Sequence, residues 1–408
     1  MTISEKILSK KVGRPVKAGE LIITEVDGVM ATDTTAPYAI QAFKEMGGGQ
    51  VWDASRCALI IDHAAPAPNE RIANLHTMMR TFAAEQNIHL FEIGEGICHQ
   101  LMIEHQYVRP GDIFMGADSH TPTYGAIGAM ACGVGSTDLA AVMKTGKIWL
   151  KVPETIRIVC HGPLQPGVTA KDLILFLVGQ ISISGATYQA VEFEGSAFEN
   201  MTVASRMTIA NMVAEMGGKT GYVNPKGLQL DYDFEAVFPE TDAQYVQTLE
   251  FDVRDLEPQL SIPESPDQVE NLGPHEGQAI QYAFIGTCCN GRLEDLHAAA
   301  HILEGKTVAK GVRFLIAPAS RSVLLDAITD GTLQTLVAAG ATILNPGCGP
   351  CVGTHQGVPG NDEVVISAAN RNFRGRMGNP HSNIYLAAPT TVAASALEGR
   401  ITHPKKYA

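Results

Sequence analysis

Short apolar runs that end in a polar corner and are followed by a helical pattern recur along this chain of 408 residues. Ala58-Leu-Ile-Ile-Asp62 and Asp112-Ile-Phe-Met-Gly116 are two such runs, and the segment 69–86 between them carries apolar residues at helical spacing. Alternation of strand and helix patterns is typical of α/β layers, in which functional side chains gather at strand ends. We therefore expect an α/β fold.

The chain is long enough to divide into two or three domains, each able to bury its own core. We place one boundary near Val152-Pro153, where the first series of strands and helices ends. Another falls within 253–277, whose content of Pro, Glu, Asp and Gln is typical of a linker. The prediction is three α/β/α-layered domains around a shared active-site cleft, spanning residues 1–152, 153–272 and 273–408.

Composition and charge exclude several classes of protein. Apolar residues make up 45% of the chain and charged residues 18%, as in globular proteins and unlike disordered ones. The net charge of −13 argues against a nucleic-acid partner. No stretch reaches the ~18 apolar residues of a membrane span, and the N-terminus lacks the apolar core of a signal peptide. The eight cysteines lack the dense spacing of a disulfide framework, so we expect a reduced, cytoplasmic setting.

Three cysteines lie on Gly-rich turns in the last third of the chain. Cys288 is in Gly286-Thr-Cys-Cys-Asn-Gly-Arg292, and the other two are in Asn345-Pro-Gly-Cys-Gly-Pro-Cys351. A C-x-x-C pair by itself also fits a redox dithiol, half of a zinc site or two buried thiols. Glycines let backbone N–H groups approach sulfur closely and proline restrains the turn, which favours a metal site.

An iron–sulfur cube normally takes four protein thiolates, one for each iron. Cys288, Cys348 and Cys351 would supply three, which leaves one iron with an open position that can bind a substrate oxygen. Cys289 is adjacent to Cys288, and two neighbouring side chains rarely point at one cluster. We therefore interpret Cys289 as a packed small residue.

Polar corners elsewhere carry groups that can move protons. Asp62-His63 closes the first apolar run, and Asp118-Ser119-His120 follows the second. A carboxylate beside an imidazole can orient the ring and hold its proton, although an ordinary surface pair has the same pattern. Three consecutive residues cannot line up as the triad of a serine hydrolase.

Two further features complete the set. His99 follows a Gly-Glu-Gly turn, and Asn370-Arg-Asn-Phe-Arg-Gly-Arg376 holds three arginines, which bind carboxylates through paired hydrogen bonds. An open iron, proton-moving His and Asp residues and an arginine corner together suit a lyase that acts on a di- or tricarboxylic hydroxy acid.

Eight segments resemble the aconitase superfamily, and within it the large subunits of 3-isopropylmalate dehydratase and homoaconitase. They follow the family's order and run through most of the chain. The segments are Asp33-Thr-Thr-Ala-Pro37, Ile61-Asp-His-Ala-Ala-Pro66, Gly116-Ala-Asp-Ser-His-Thr-Pro-Thr-Tyr-Gly125, Gly133-Val-Gly-Ser-Thr-Asp138, Val191-Glu-Phe193, Gly286-Thr-Cys-Cys-Asn-Gly-Arg292, Gly347-Cys-Gly-Pro-Cys351 and Asn370-Arg-Asn-Phe-Arg-Gly-Arg376.

The resemblance implies a hydro-lyase whose cleft carries a [4Fe–4S] cluster. The implied cluster ligands are Cys288, Cys348 and Cys351. The implied proton-handling and water-binding residues are Asp62, His63, His99, Asp118, His120 and Glu192. The implied substrate-binding residues are Ser119, Asn370, Arg371 and Arg376. Cys289 is a departure, since the family usually has Thr there; it leaves the ligands intact and could alter redox sensitivity.

The resemblance also implies a partner. Full-length members of the superfamily carry a fourth, mobile domain that supplies a serine base, whereas this chain ends after one more helical pattern at 389–399. We expect a separate small subunit to supply the swivelling domain and the catalytic base, and a small hydroxy acid to be the substrate.

Alternative interpretations remain open at this stage. Isopropylmalate, as in leucine biosynthesis, is the leading substrate; homoaconitase, citramalate dehydratase and 2,3-dimethylmalate dehydratase share the chemistry. A structural zinc protein is another possibility. A more distant alternative is an iron sensor that binds RNA when it loses its cluster, against which the net charge of −13 counts.

Overall fold

The computed structural model describes residues 1–407, and the strands in this range form four sheets. The α-helices are α1 Ile3–Val12, α2 Ala36–Glu45, α3 Glu70–Gln86, α4 Cys98–Glu104, α5 Ser136–Thr145, α6 Ala170–Ile181, α7 Ser196–Glu199, α8 Val203–Asn211, α9 Leu293–Leu303, α10 Arg321–Thr329, α11 Thr332–Ala338 and α12 Pro389–Glu398. The strands are β1 Leu21–Glu25, β2 Gly28–Thr32, β3 Cys57–Ile60, β4 His89–Phe91, β5 Ile113–Gly116, β6 Met130–Gly133, β7 Lys147–Lys151, β8 Thr155–His161, β9 Ala190–Glu194, β10 Thr220–Val223, β11 Gln247–Asp252, β12 Gln259–Ser261, β13 Val269–Asn271, β14 Tyr282–Ile285, β15 Arg313–Ile316, β16 Thr342–Ile343, β17 Val364–Ser367 and β18 Asn383–Leu386.

The first large sheet has five parallel strands in the order β4-β3-β2-β5-β6. Strands β2, β3 and β5 are buried at every position, as their continuous apolar sequences require of strands covered on both faces. The chain moves outward from β2 through β3 to β4 and then returns to β5 on the other side of β2. The loops after β2 and β5 therefore leave the sheet at its topological switch point.

The helix patterns of the sequence are confirmed in this region and the next. Helix α3 begins where the side chain of Asn69 accepts a hydrogen bond from the backbone of Ile72. Helix α6 begins with a capping box in which Thr169 and Asp172 satisfy each other's backbone N–H groups. The longest apolar run of the sequence, 173–178, is compatible with either a buried helix or a strand, and the structure places it in this helix.

The second large sheet has four parallel strands in the order β10-β9-β8-β11. Its strand β9 begins at Ala190, whereas the sequence pattern predicts a strand from Thr187; residues 187–189 form a turn before it. The sequence pattern of residues 205–216 predicts a single helix, whereas the structure divides this stretch into α8 and a 3₁₀ turn, Met212–Met216.

The third large sheet has seven strands in the order β13-β12-β18-β17-β14-β15-β16. Strands β14 to β18 run parallel, and β12 pairs antiparallel with β13 and β18. Here the chain moves outward from β14 to β16 and returns to β17 on the other side of β14. The loops that follow β14 and β17 lie at a second switch point.

The interpretation of 253–277 as a linker is wrong. This segment contains β12 and β13, which belong to the third sheet, so that sheet begins at Gln259, before the predicted boundary at 272. Leu260 and Ser261 are fully buried, and the backbone N–H of Gln259 donates to Asp172 at the start of α6. The buried strand β12 is only three residues long and contains one apolar residue, Leu260, so the prolines and acidic residues around it dominate the local composition.

A small antiparallel sheet of two strands, β1 and β7, completes the fold beside the first large sheet. The hydrophobic core is continuous through the second and third large sheets and one face of the first, and a second apolar cluster fills the other face of the first. Within residues 1–407, no helix combines the length and apolar character needed to cross a membrane. The expected α/β fold class is confirmed.

Candidate active site

A cavity of about 850 Å³ lies between the three large sheets. The first sheet lines it with the loops that leave β2, β3 and β5, and the third sheet with the loops that leave β14, β16 and β17. The second sheet instead contributes segments that enter β9 and β10. The cavity thus lies at two topological switch points, where α/β sheets bind ligands.

Asp118 lies between two histidines at the end of β5. Its Oδ1 is 2.8 Å from Nε2 of His99, and its Oδ2 is 3.4 Å from Nε2 of His63. On the other side of that ring, Nδ1 of His63 lies 2.8 Å from Oδ1 of Asp62. Burial opposes charge at this position, but the hydrogen bonds from His63 and His99 hold the pKa of Asp118 well below its ordinary value. The chain Asp62–His63–Asp118–His99 is therefore a charged, hydrogen-bonded row.

His63 is the protonated histidine of this row. Burial lowers its pKa, but the Asp62 and Asp118 carboxylates outweigh burial and raise the pKa of His63 well above its ordinary value. The ring is therefore an imidazolium at neutral pH. It has a proton to give to a group in the cavity that it lines.

Asp33, in the loop after β2, holds the Asp62-His63 corner in place. Its Oδ1 accepts a hydrogen bond of 2.8 Å from the backbone of His63, and its Oδ2 accepts one of 2.8 Å from Ala64. His76 on α3 lies 3.2 Å from the same Oδ2. Although burial opposes charge, the hydrogen bond from His76 and the charge of His63 lower the pKa of Asp33 to about 2. The corner is thus anchored by a permanent buried negative charge.

His120 and Arg371 share one buried carboxylate, that of Glu215. Nε2 of His120 is 2.7 Å from Oε1 of Glu215, and Nε of Arg371 is 3.0 Å from each carboxylate oxygen. Burial and the Arg371 charge lower the pKa of His120, so its ring is neutral at pH 7. His120 can therefore accept a proton or a hydrogen bond, in contrast to the charged His63.

Cys288, Cys348 and Cys351 line the same cavity. The side-chain amide of Asn370 donates to the Cys288 sulfur at 3.3 Å, and that of Asn211 donates to it at 3.2 Å. A hydrogen bond from Cys348 and the charge of Arg376 lower the pKa of the Cys351 thiol. The Cys351 thiol is thus favoured as a thiolate, the form that binds metal. The pKa values of the other two thiols are raised, that of Cys288 by burial and that of Cys348 by its hydrogen bond with Cys351 and by burial.

The spread of the three sulfurs bears on which metal they could hold. Thiolates bound to one zinc ion lie about 2.3 Å from it and hence within about 4.6 Å of each other. Among residues 1–407, the one trio of His, Cys, Asp or Glu ligand atoms within 4.8 Å of one another is Asp33, Asp62 and His63. The three sulfurs therefore do not all lie within 4.8 Å of one another, which favours a cluster of several irons over a single zinc ion.

Cys289 does not line this cavity. Its sulfur accepts a hydrogen bond of 3.2 Å from Nζ of Lys171, which is itself fully buried on α6. The same ammonium donates to the backbone carbonyls of Ala368 and Ala369, at 3.1 and 2.6 Å, just before Asn370. Lys171 thus ties the cysteine turn after β14 to the arginine corner after β17.

The predicted substrate-binding residues all line the cavity, but they differ in exposure and in how many of their polar atoms already have a partner. Ser119 is exposed at its surface, whereas Asn370 is fully buried and occupied with sulfur and with Asn211. Arg371 is paired with its carboxylate, but Nε of Arg376 has no protein partner. Arg371 uses only Nε on Glu215, and Arg376 uses only one terminal nitrogen on Cys351, so both arginines keep N–H donors for a ligand.

Glu192 is the predicted site residue that the structure places away from the others; Asp62 does not line the cavity either, but it contacts His63, which does. Glu192 lies in the middle of β9 beneath α1, where it accepts hydrogen bonds from the backbone of Ile3 at 2.7 Å and from the hydroxyl of Tyr245 at 2.9 Å. The cavity lining does not include it. The second sheet turns the amino ends of its strands to the cavity, so a residue inside β9 cannot reach it. The expectation that Glu192 handles protons in the site is corrected to a structural role.

Sequence reasoning missed Glu215, Asn211, Asp33 and Lys171 as residues of the site or its support. Asp33 lies in one of the eight segments that resemble the family. Its neighbours in the sequence do not indicate that it accepts hydrogen bonds from the backbone of His63 and Ala64, in the loop after β3. Glu215 does carry a signal, because it is the one charge in the mostly apolar run 207–216. A buried charge needs a partner and often marks a functional site.

Glu192 makes stability depend on pH in a way that can be measured. Burial raises its pKa from 4.5 to about 7. Folding therefore takes up a proton between these values, and the free energy of unfolding falls as the pH rises through this interval. The shift corresponds to a loss of about 3 kcal/mol. We expect Glu192→Gln, which cannot titrate, to lose about 3 kcal/mol less than the wild type between about pH 4.5 and pH 8 in denaturant unfolding. Parallel pH profiles for the two proteins would contradict this account.

Comparison with known proteins finds relatives that match the chain over its full length. The family model described as "Aconitase family (aconitate hydratase)" matches residues 5–278 and 270–399. A protein named 3-isopropylmalate dehydratase large subunit 1, from Methanopyrus kandleri, is 47% identical over 100% of this chain and 99% of its own length. A probable methanogen homoaconitase large subunit from Methanosarcina mazei is 50% identical over 94% of this chain and 100% of its own length.

A solved structure shares the fold at low sequence identity. The holo-form of Thermococcus kodakaraensis aconitase X matches with a TM-score of 0.53 and 14% identity, over 91% of this chain and 89% of that chain. At this identity the match speaks for the fold alone.

Proposed function

Because the chain belongs to the aconitase family, we propose that it is the catalytic large subunit of a hydro-lyase of the 3-isopropylmalate dehydratase type, which works with a separate small subunit. The observation that carries the proposal is a single cavity lined by three cysteines, His and Asp residues with opposed pKa shifts, and two arginines. Relatives of nearly the same length are named large subunits of 3-isopropylmalate dehydratase. Eight free cysteines agree with the reduced, cytoplasmic setting that we propose for it.

The residues proposed to hold the cofactor are Cys288, Cys348 and Cys351, as ligands of a [4Fe–4S] cluster. When bound by three thiolates, such a cluster supplies an iron with an open position, a Lewis acid for an oxygen of the substrate. Asn211, Asn370 and Arg376 surround the sulfurs with N–H donors. These donors offset the negative charge that thiolates bring into a buried site.

Side chains of this chain protonate the leaving group and bind the carboxylates of the substrate. Dehydration breaks a C–O bond and removes a proton from the carbon next to a carboxylate. His63, held as an imidazolium, gives its proton to the departing hydroxyl, which leaves as water. Arg376 binds a substrate carboxylate, and Arg371 does so from its position fixed by Glu215. We assign removal of the carbon-bound proton to a base on the small subunit.

Anaerobic reconstitution tests this function. The chain, loaded with iron and sulfide, is assayed with its small subunit on 2-isopropylmalate, homocitrate, citramalate and 2,3-dimethylmalate. We expect hydration and dehydration of one of these acids, with isopropylmalate first, and little turnover by the chain alone. Full activity without the small subunit, or none with it on any of the four, would contradict the proposal.

Homoaconitase is the second candidate, because a relative that carries this name is 50% identical to the chain. The two activities differ in the group attached to a common hydroxy-acid core, which is an isopropyl group in one and a carboxylate-bearing chain in the other. The ratio of kcat/KM for 2-isopropylmalate and homocitrate decides between them.

Arg376→Lys separates substrate binding from cluster binding. Lysine keeps the positive charge near Cys351 but cannot form the paired hydrogen bonds of a guanidinium with a carboxylate. A hydrogen bond to a charged group contributes about 1.5–3 kcal/mol, so we expect KM to rise about 10- to 100-fold. Iron and sulfide content should stay at the wild-type level. Unchanged kinetics would remove Arg376 from the carboxylate site.

A further inference from the structure

The ribbon of β1 and β7 exposes three large apolar side chains on one face. Leu21, Ile23 and Trp149 are 72%, 70% and 67% exposed. Ile23 and Trp149 are direct partners in the antiparallel register, so they share this face, and Leu21 is two residues away along the same strand. Large exposed apolar side chains that cluster in this way mark an interaction surface.

The fold itself does not need these side chains. The alternate residues of the ribbon, Ile22, Thr24 and Leu150, are buried on the inner face and attach it to the rest of the molecule. The ribbon therefore has apolar side chains on both faces, although its inner face alone packs against the rest of the molecule. A strand of this kind would ordinarily carry polar residues outward.

This outer face is continuous with the mouth of the active-site cavity through Tyr188. Tyr188 lines the cavity, and it also lines a hollow of about 390 Å³ together with Leu21 and Trp149. A second hollow, of about 260 Å³, joins Trp149 to Tyr188 and to Lys219, another residue of the cavity wall. The three depressions meet at one tyrosine.

Tyr188 is held in an unusual conformation at this junction. Its φ of +62° lies in the left-handed region, which a residue with a bulky side chain adopts at a cost. Its hydroxyl accepts a hydrogen bond of 3.4 Å from the backbone of Lys151 on β7, which ties the cavity rim to the ribbon. The ring is 41% exposed beside Lys219, whose ammonium lies 5.5 Å from its centre.

We propose that the outer face of the β1–β7 ribbon, with Tyr188 at its inner end, is the docking surface for the small subunit. This inference rests on the proposed function, in which that subunit completes the cavity. A partner that reaches into the cavity must contact the residues at the mouth of the cavity. Tyr188 is one of these residues, and it lies next to the exposed apolar face of the ribbon. Trp and Tyr are the residues that most often dominate interface energies, which makes Trp149 the expected anchor.

The surface of the small subunit that meets the ribbon should be apolar at its centre, to cover Ile23 and Trp149. It should carry carboxylates at its edge, where Lys147 and Lys151 flank Trp149 on β7. A second copy of this chain is the competing occupant, and the experiment separates the two.

The test uses surface substitutions that leave the catalytic residues alone. Trp149→Glu and Ile23→Glu place a charge on the ribbon, and Leu325→Glu is the matched control, since Leu325 is 55% exposed on α10 and lines none of the three depressions. Affinity for the purified small subunit from the same genome is measured anaerobically by calorimetry, and iron content and melting temperature are measured for each variant.

We expect each ribbon variant to weaken binding about 30-fold or more, as the loss of an interface anchor does. The control should bind as the wild type does, and all three should keep wild-type iron content and melting temperature. Wild-type affinity in Trp149→Glu, or an equal loss in Leu325→Glu, would overturn the docking surface. A change in self-association of the isolated chain without a change in small-subunit affinity would overturn it in favour of a second copy.

Failure of the proposed function looks different. A wild-type pair that binds tightly but acts on none of the hydroxy acids would contradict the function, while the loss of binding in the ribbon variants would still uphold the docking surface. No binding by the wild type would contradict both.

Discussion

Cys348→Ser is expected to prevent assembly of the cluster and to abolish turnover. A serine hydroxyl is a poor substitute for a thiolate as an iron ligand, and only two of the three proposed ligands would remain. A Lewis acid stabilises developing charge by several kcal/mol, so its loss should lower activity by about 10³-fold or more. Iron and acid-labile sulfide per chain, the visible absorbance after anaerobic reconstitution, and turnover with the small subunit measure the outcome.

The matched control is Cys160→Ser. Cys160 is equally buried, but it lies in β8 and does not line the cavity. This variant should bind iron and sulfide as the wild type does and keep activity within a few-fold. A Cys348→Ser protein with a full complement of iron and normal turnover would refute the assignment of this ligand and with it the proposed chemistry.

Glu215→Gln should reduce kcat by about 10²-fold, the scale expected when groups that bind or act on the substrate are misplaced. Glu215 is the shared carboxylate of His120 and Arg371, and it is almost fully buried. Glutamine keeps the shape but removes the negative charge, which leaves the Arg371 guanidinium unpaired at the cavity wall. It also presents an amide to both partners, and the amide nitrogen cannot accept their hydrogen bonds.

Glu192→Gln is the control for this prediction, since it changes a carboxylate that is just as buried but whose partners, Ile3 and Tyr245, do not line the cavity. It should keep kcat and KM within a few-fold. Steady-state kinetics of the two reconstituted variants, at the same iron content, make the comparison. If Glu192→Gln lost activity and Glu215→Gln kept it, the roles assigned from the structure would have to be exchanged.

Local patterns predicted much of the scaffold because they reflect local physics. The buried parallel strands β3, β5 and β14 stand out as apolar runs since both of their faces are covered. Caps at Asn69 and Thr169 mark helix starts, because an unpaired backbone N–H requires an acceptor within a few residues. The polar corners after these strands could be taken as candidate site residues for the same reason, since parallel strands present their carboxyl ends together.

Other features depend on partners that are remote in the chain. Lys171 binds carbonyls 197 and 198 residues away, and Glu215 binds a histidine 95 residues away. Strands β12 and β13 are too short and too acidic in their surroundings to stand out, and pairing with β18 is what makes them part of a sheet. No local spacing encodes such contacts.

The sequence by itself determined which strand ends carry chemistry, which cysteines stand on metal-binding turns and to which family the chain is similar, because residue identity and short-range geometry suffice for these. The tertiary structure alone decided how the sheets are oriented about the cavity. Two sheets point the carboxyl ends of their strands inward, and the second points the opposite edge. This keeps Glu192 away from the cavity and places Glu215 behind the cavity wall, against His120 and Arg371. That orientation is set by the packing of the sheets against one another. Packing depends on the apolar surface buried by many residues throughout the chain, so no single motif encodes it.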